Sequence, residues 1–281
     1  MSAVSTNEPK RLLITGATGG MGQCCARLAA AQGYQLLLAD LSAEKLASVR
    51  EDCAGDADSV DCQVLDVTSE EDISRVLGAV TGTGGIDAVI HTVGLSPTMA
   101  DWETIIDVDL VSTIRFIEAL RPAIQPQGAV VLIASMSAHM CPPDSTVDGS
   151  LASPLEEGLL EKLRDPAFAT IHNPGLAYAY AKRALIHYVE ANAFSWGGEG
   201  KRLVSLSPGL IHTEMGQQER AAQEKSFDNM LQMVPLRRTG APEEIAATAL
   251  FLASPAASYV SGCDVRVDGG FTGTFRQHQA R

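Results

Sequence analysis

Residues 11–22 read Arg11-Leu12-Leu13-Ile14-Thr15 and then Gly16-Ala17-Thr18-Gly19-Gly20-Met21-Gly22, a short apolar run that breaks into four glycines within seven positions. An apolar run bounded by glycine suits a buried strand, and small residues let the backbone turn tightly into a following helix. From here, short apolar runs alternate with amphipathic helical stretches as far as about residue 268. That alternation is the pattern of a parallel sheet with helices on both faces. The expected class is α/β, a Rossmann-type doubly wound parallel sheet of about seven strands in a single domain over 1–281. Strands are predicted at 11–15, 35–40, 60–65, 86–91, 129–134, 202–206 and 264–267, and helices at 20–32, 42–53, 69–80, 103–120, 176–195 and 242–253.

The chain has 281 residues, of which 46% are hydrophobic, enough for a sizeable core, with flexibility expected only at ends such as 1–10. A formal net charge of −13 opposes binding to nucleic acid or an anionic membrane, so a small molecule is the expected partner. The first residues contain no apolar signal core, and runs such as Ala129–Ala134 are too short to span a bilayer, which predicts a cytoplasmic protein. Six cysteines without C-x-x-C spacing read as reduced, mostly buried small hydrophobes, and no metal is expected.

The rhythm breaks once, over 139–175, where a helical insertion replaces a short connection. Within it Ser153, Pro154 and Glu156 have the spacing of an N-cap, a first helical proline and a capping-box partner, and Leu155, Leu159 and Leu163 would share one face. The segment reads as a small lid.

The glycines have the context of a dinucleotide loop, since they follow a strand and open a helix whose N-terminus stabilises a pyrophosphate. Two spacings fit, T-G-x-x-x-G-x-G through Gly16, Gly20 and Gly22, or T-G-x-x-G-x-x-G through Gly16, Gly19 and Gly22. A tight turn without ligand is the plain alternative. The second strand ends in Asp40, whose carboxylate can accept from both adenosine ribose hydroxyls and would repel a 2′-phosphate. No Lys or Arg stands in the loop, and Leu41 follows the acid, so NAD is expected over NADP. Asp40 would equally serve as the N-cap of the next helix. Asp66 and Gly94 close the third and fourth strands at the same sheet edge, and Thr18, Met21, Leu41 and Val67 complete the expected cofactor contacts on that side.

Tyr178 and Lys182 lie four apart in a predicted helix and share a face, so the ammonium would draw the phenol toward neutral proton exchange. Ser135 ends its strand at the sheet edge where it could hold a substrate oxygen, with Ser137 as its rival. Tyr180 has Ala184 four positions on and cannot form such a pair.

The Gly16/Gly20/Gly22 loop, Asp40, Asp66, Ser135, the Tyr178/Lys182 pair, Ser207–Thr213 and the tail over 240–270 together resemble the single-domain short-chain dehydrogenase/reductases. That resemblance implies an NAD-dependent oxidoreductase, with Tyr178 as general acid/base, Lys182 holding the nicotinamide ribose and Ser135 orienting the substrate. It also implies that Pro208 and Gly209 lie beside the nicotinamide, with the Ile211 backbone and the Thr213 hydroxyl near its carboxamide. Two departures stand out: the usual Asn-Asn-Ala-Gly is His91-Thr92-Val93-Gly94, and the asparagine of the following long helix, tied to a proton relay, is Asp109. The insertion and "ASPAASYVSG" further resemble bacterial 3α-hydroxysteroid dehydrogenase/carbonyl reductases, which implies a secondary alcohol or ketone on a bulky apolar, steroid-like skeleton. The insertion and residues 214–233 would then roof the substrate site, with Met215, Phe227, Met230 and Met233 lining it or packing as a helix core face. The family implies a homodimer or homotetramer. The alternatives are an NAD-binding sensor without turnover, an enzyme of acyl or small alcohol substrates, and an epimerase or dehydratase of the longer branch that the Gly19 spacing would permit.

Overall fold

In the computed structural model, which describes residues 10–57 and 59–279, the run Arg11–Thr15 is strand β1. The proposed tail over 1–10 lies, except for Lys10, outside the described residues. The other strands are β2 (Gln35–Asp40), β3 (Ser59–Val64), β4 (Ile86–His91), β5 (Ile124–Ile133), β6 (Arg202–Pro208) and β7 (Asp264–Val267). All seven are parallel in the order β3-β2-β1-β4-β5-β6-β7, so the connection reverses direction between β1 and β4, where Thr15 pairs with His91. A crevice at such a switch point, outside the carboxyl ends of the strands, is where open sheets of this kind hold ligands.

Strand periodicity divides the core. Leu12 and Ile14 join Leu36, Leu38 and Ile90 on one face beneath α1 (Gly20–Ala30), α2 (Ala43–Cys53) and α11 (Pro242–Ala253). Leu13, Leu37 and Val89 point the opposite way, into a larger cluster under α3 (Glu70–Gly82), α4 (Trp102–Ile106), α5 (Thr113–Leu120) and α8 (Pro174–Gly198). Burial on both faces is why these strands read as continuous apolar runs and not as alternating ones.

The helix expected over 103–120 is interrupted. Between α4 and α5, residues Asp107–Ser112 form a π-helical segment. Ser112 Oγ donates to Asp107 Oδ1 at 2.9 Å and Thr113 Oγ1 to the Val108 carbonyl at 2.8 Å, each reaching five residues back across the widened turn. Side-chain hydroxyls thus supply donors that the α-helical ladder lacks there.

The insertion differs more. No helix starts at Ser153: Ser153 and Pro154 lie in a turn closed by Glu156 N–H donating to the Ser153 carbonyl at 3.0 Å. Gly158, left-handed at φ 75°, breaks any helix begun upstream, and α7 (Leu159–Lys162) starts after it. The first insertion helix is instead α6 (Ser145–Leu151), capped by Asp144, whose Oδ1 accepts from the Thr146 and Val147 amides. A 3-10 segment, Pro166–His172, leads into α8, where Asn173 is the N-cap.

Nor does the insertion roof the sheet edge. Val147, Leu159, Leu163 and Ile171 are buried in the larger core, Tyr180 donates to the Pro142 carbonyl at 2.7 Å, and Arg183 pairs with Asp148 at 2.9 Å. Arg164 grips Glu103 of α4, and the His172 ring lies 4.6 Å from that of Trp102. The segment is a brace on α4 and α8, because its apolar residues face those helices. After β6 come α9 (Glu214–Ala222), α10 (Glu224–Met233) and finally α12 (Phe271–Gln279). Among the described residues no helix is long and apolar enough to cross a membrane, and no cluster of metal-binding side chains occurs.

Leu163 is 0% exposed and Leu155, from the supposed shared face, is 48% exposed. Leu163→Ala is expected to lower unfolding free energy by about 2–5 kcal/mol and Leu155→Ala by less than about 0.5, measured by urea denaturation.

Candidate active site

Gly16 sits at φ +68°, and a Cβ there would lie 2.6 Å from Thr92 Oγ1 and 2.8 Å from the Val93 nitrogen. A Cβ on Gly22 would press into the Gly16 carbonyl, and one on Gly20 would stand 2.9 Å from Thr213 Cγ2, whereas Gly19 would meet only the Gly16 carbonyl oxygen at 3.3 Å. Three glycines are therefore demanded by close approach and the fourth is nearly free, which fits the T-G-x-x-x-G-x-G spacing. Helix α1 begins at Gly20 without a side-chain cap and without an acidic residue in its first turn, so its leading amides are left for an anion. A cradle kept narrow by three glycines and ending in uncapped amides fits a dinucleotide pyrophosphate.

At the adenosine end, Asp40 Oδ2 accepts from the Thr18 amide at 2.9 Å and Oδ1 from the Leu41 amide at 2.7 Å. Asp40 does not cap α2: Ser42 does, accepting from the Lys45 amide. Leu41 projects outward, 68% exposed, and among the described residues no Lys or Arg side chain bonds Asp40. Asp66 accepts from the Thr68 amide and hydroxyl, while the side chain of Val67 packs in the core and leaves only its backbone for a ligand.

His91 is buried where β4 meets β1, with Nδ1 2.7 Å from Thr15 Oγ1 and Nε2 3.0 Å from Thr113 Oγ1. Thr113 spends its own proton on the Val108 carbonyl, so Nε2 carries the imidazole proton and Thr15 donates to Nδ1. Burial, aided by the nearby Lys182 charge, pushes its pKa down to about 3. It is a neutral bolt between strand and helix.

Beyond it, Gly94 lets the chain pass over a buried charge pair. A Cβ there would lie 3.0 Å from Lys182 Nζ and 3.4 Å from Asp109 Oδ2. Lys182, 3% exposed, comes within 3.2 Å of Asp109 Oδ2 and also donates to the Ile133 carbonyl at 3.2 Å. Asp109 Oδ1 accepts from the Leu95 amide at 2.7 Å, whereas Oδ2 faces the Lys182 ammonium as an ion pair without a regular hydrogen bond. Burial raises the Asp109 pKa, against the pull of Lys182 and the Leu95 amide.

Lys182 Nζ stands 5.7 Å from the centre of the Tyr178 ring. The phenol is not drawn toward neutrality in this arrangement. Burial raises its pKa, the Asp109 charge adds to that, the Ser135 hydroxyl opposes it, and Glu219 raises it further. Ser135 Oγ accepts from the Ser137 amide at 3.2 Å, which leaves its proton to donate, while Ser137 Oγ is buried without a hydrogen-bond partner.

These groups share one cavity of about 290 Å³ at the carboxyl edge of the sheet. Met21, Gly94, Ser135, Ser137, Tyr178, Lys182, Pro208, Gly209, Ile211 and Thr213 all line it, so residues far apart in sequence meet in one place. Met215, Phe227 and Met230 line it from α9 and α10, while Met233 packs beside Met136, Leu210 and Phe271 outside it. Of the insertion, only its ends Met140 and Gly175 reach the cavity. Leu95, Met136, Leu210 and Glu219 also line it and were not singled out in the sequence; Met136, directly after Ser135, carried the one readable signal. The arrangement can hold a substrate oxygen with a serine and exchange a proton with it through a phenol.

The short chain dehydrogenase model matches residues 10–147, and the model described as enoyl-(acyl carrier protein) reductase matches 167–272. A 3-oxoacyl-(acyl-carrier-protein) reductase of Thermotoga maritima is 29% identical over 94% of this chain and 98% of its own. A galactitol 2-dehydrogenase of Cereibacter sphaeroides is 30% identical over 92% and 93%, and a 3-alpha-hydroxysteroid dehydrogenase/carbonyl reductase of Comamonas testosteroni 28% identical over 95% and 98%. Among solved structures, levodione reductase superposes with a TM-score of 0.75 at 25% identity, covering 94% of this chain and 98% of the other. The chain belongs to the short-chain dehydrogenase/reductase family, whose members are oxidoreductases that use a nicotinamide dinucleotide.

Gly16→Ala and Gly22→Ala are expected to weaken dinucleotide binding by about tenfold or more, and Gly19→Ala by much less, in calorimetric titrations. His91 gives a pH signature. Its folded pKa lies below its unfolded one, so its contribution is intact above about 6.5 and lost as pH falls from there toward about 3. The expected slope is about 1.4 kcal/mol per pH unit for one proton, and His91→Asn should flatten it in denaturation series across that range.

Proposed function

We propose that this protein is an NAD-dependent dehydrogenase/reductase that interconverts a secondary alcohol and a ketone on a bulky apolar, steroid-like skeleton. The observation that carries the reading is the meeting of Ser135, Tyr178 and Lys182 in one cavity beside the glycine cradle. NAD is supported by Asp40, which presents a carboxylate and no cation where the adenosine ribose would lie. Gly16, Gly20, Gly22 and the α1 amides would hold the pyrophosphate, Asp66 and Val67 would flank the adenine, and Gly94, Pro208, Gly209, Ile211 and Thr213 would border the nicotinamide.

When bound, the nicotinamide supplies or accepts the hydride. The rest belongs to the chain. Ser135 Oγ donates to the substrate oxygen and fixes it beside the phenol. In reduction, Tyr178 Oη gives its proton to that oxygen as it gains charge; in oxidation the tyrosinate takes the proton back. Lys182 would hold the nicotinamide ribose, and Gly94 over it leaves room for that ribose. Apolar walls from Met136, Met140, Leu210, Met215, Phe227 and Met230 exclude water and suit a large hydrocarbon surface. This lining favours a steroid-like substrate over a small polyol. Assembly as a homodimer or homotetramer is supported by Phe194 and Tyr259, both fully open near the contact of Gly262 with Ala193.

Purified enzyme offered hydroxysteroids, fatty-acyl alcohols and small secondary alcohols with NAD or NADP should reduce NAD preferentially, with hydroxysteroids among the best substrates. Tyr178→Phe should retain NAD binding and lose at least about a hundredfold in kcat. Full activity in that variant would refute the assignment, and binding without turnover in the native protein would favour a sensor.

A further inference from the structure

The pairing of Lys182 with a buried carboxylate alters the electrostatics of the site, and this inference rests on the reading of Tyr178 as its proton donor. We propose that Asp109 is a positioning residue that sets the proton affinity of Tyr178, and thereby places the alcohol-oxidising activity at alkaline pH, by cancelling the charge of Lys182.

Lys182 Nζ and Asp109 Oδ2 lie 3.2 Å apart, and the two residues are 3% and 0% exposed. At such a spacing away from water the two opposite charges act on their surroundings as a unit. The net charge of the pair is zero. A neutral amide in place of the carboxylate would leave one positive charge beside the phenol.

The other charged groups around the phenol do not restore what Asp109 removes. Glu219, facing it from α9 across the cavity, is itself a carboxylate, raised in pKa by burial and pushing the phenol the same way. His91, packed near Lys182 from the end of β4, stays neutral across any assay range. His139, on the turn after Ser135, bonds Asp264 at 2.9 Å. Among the described residues, Asp109 and Glu219 are the carboxylates that bear on Tyr178, and Ser135 contributes only a hydroxyl.

The local backbone holds Asp109 to this task. The π-helical segment carries it, and the Leu95 amide fixes Oδ1 at 2.7 Å and so turns Oδ2 toward the lysine. Asparagine is isosteric and can still accept from Leu95 through its carbonyl oxygen, so the substitution changes the charge and keeps the shape.

The test has two readouts on the intact protein. In cofactor-free enzyme, the phenol is titrated by ultraviolet absorbance as the difference between each protein and its Tyr178→Phe counterpart. In turnover, the rising limb of kcat/KM against pH is followed for alcohol oxidation. Asp109→Asn should move both to lower pH by about one to two units, the size expected for a unit charge a few ångströms away in a protein interior. Asp109→Ser, also neutral and smaller, should do the same should the asparagine variant not fold, and Asp109→Glu should leave the limb in place. A folded neutral variant whose phenol titrates as the native one does overturns the proposal. So does a shift produced by Glu219→Gln alone and not by Asp109→Asn. The phenol titration needs no turnover, so it stands even if Tyr178→Phe shows that the reaction runs without the tyrosine.

Discussion

The ammonium of Lys182 lies inside the protein, and four pieces of chain are arranged around it. The Ile133 carbonyl ends β5, the Asp109 carboxylate comes from the π segment, Gly94 crosses above, and α8 supplies the lysine. An unpaired cation at that depth would cost several kcal/mol, so each piece must arrive for the others to be tolerable. This requirement explains a residue with no side chain at 94, a widened helical turn at 107–112 and a strand that stops at 133. It also places Tyr178, one turn before the lysine on the same helix, in the wall of the cavity.

Most of the sheet was legible in the sequence because its strands are buried on both faces. Runs such as Leu12–Ile14 and Ala129–Ile133 are apolar without interruption, and each is followed by a glycine, acid or serine that ends it at the ligand edge. The pairing of Tyr178 with Lys182 was legible for a simple reason: a four-residue interval is a spatial neighbour on any helix. The π segment was not legible, since Asp107–Ser112 has ordinary helical composition and its widening depends on hydroxyl bonds reaching back from Ser112 and Thr113. The capping box at Ser153 failed through Gly158, whose left-handed backbone matters more than a favourable start five residues earlier. Leucine spacing gave the insertion a helical face but could not say which surface that face would meet.

The direction of the Tyr178 shift marks a limit of reading charge from spacing. A nearby lysine lowers a phenol's pKa only if its charge is not already engaged, and the partner that engages it lies 73 positions away from Lys182 in sequence. Burial then dominates. His91 tells the same story from the other side: it stands in place of an amide, yet burial and the neighbouring Lys182 charge keep it neutral, and its hydrogen bonds to two threonine hydroxyls make it a structural cross-link with no charge of its own.

Helix α9 buries no residue and α10 buries only Phe227, although both close the cavity. The surface that meets the substrate is therefore almost separate from the surface that holds the fold together. Drift in the former leaves the latter untouched, and relatives of near-equal length carry names as different as those of a galactitol, an acyl-carrier-protein and a hydroxysteroid enzyme. In evolutionary terms the roof is a replaceable part, and new substrate preferences can accumulate there without passing through unfolded intermediates.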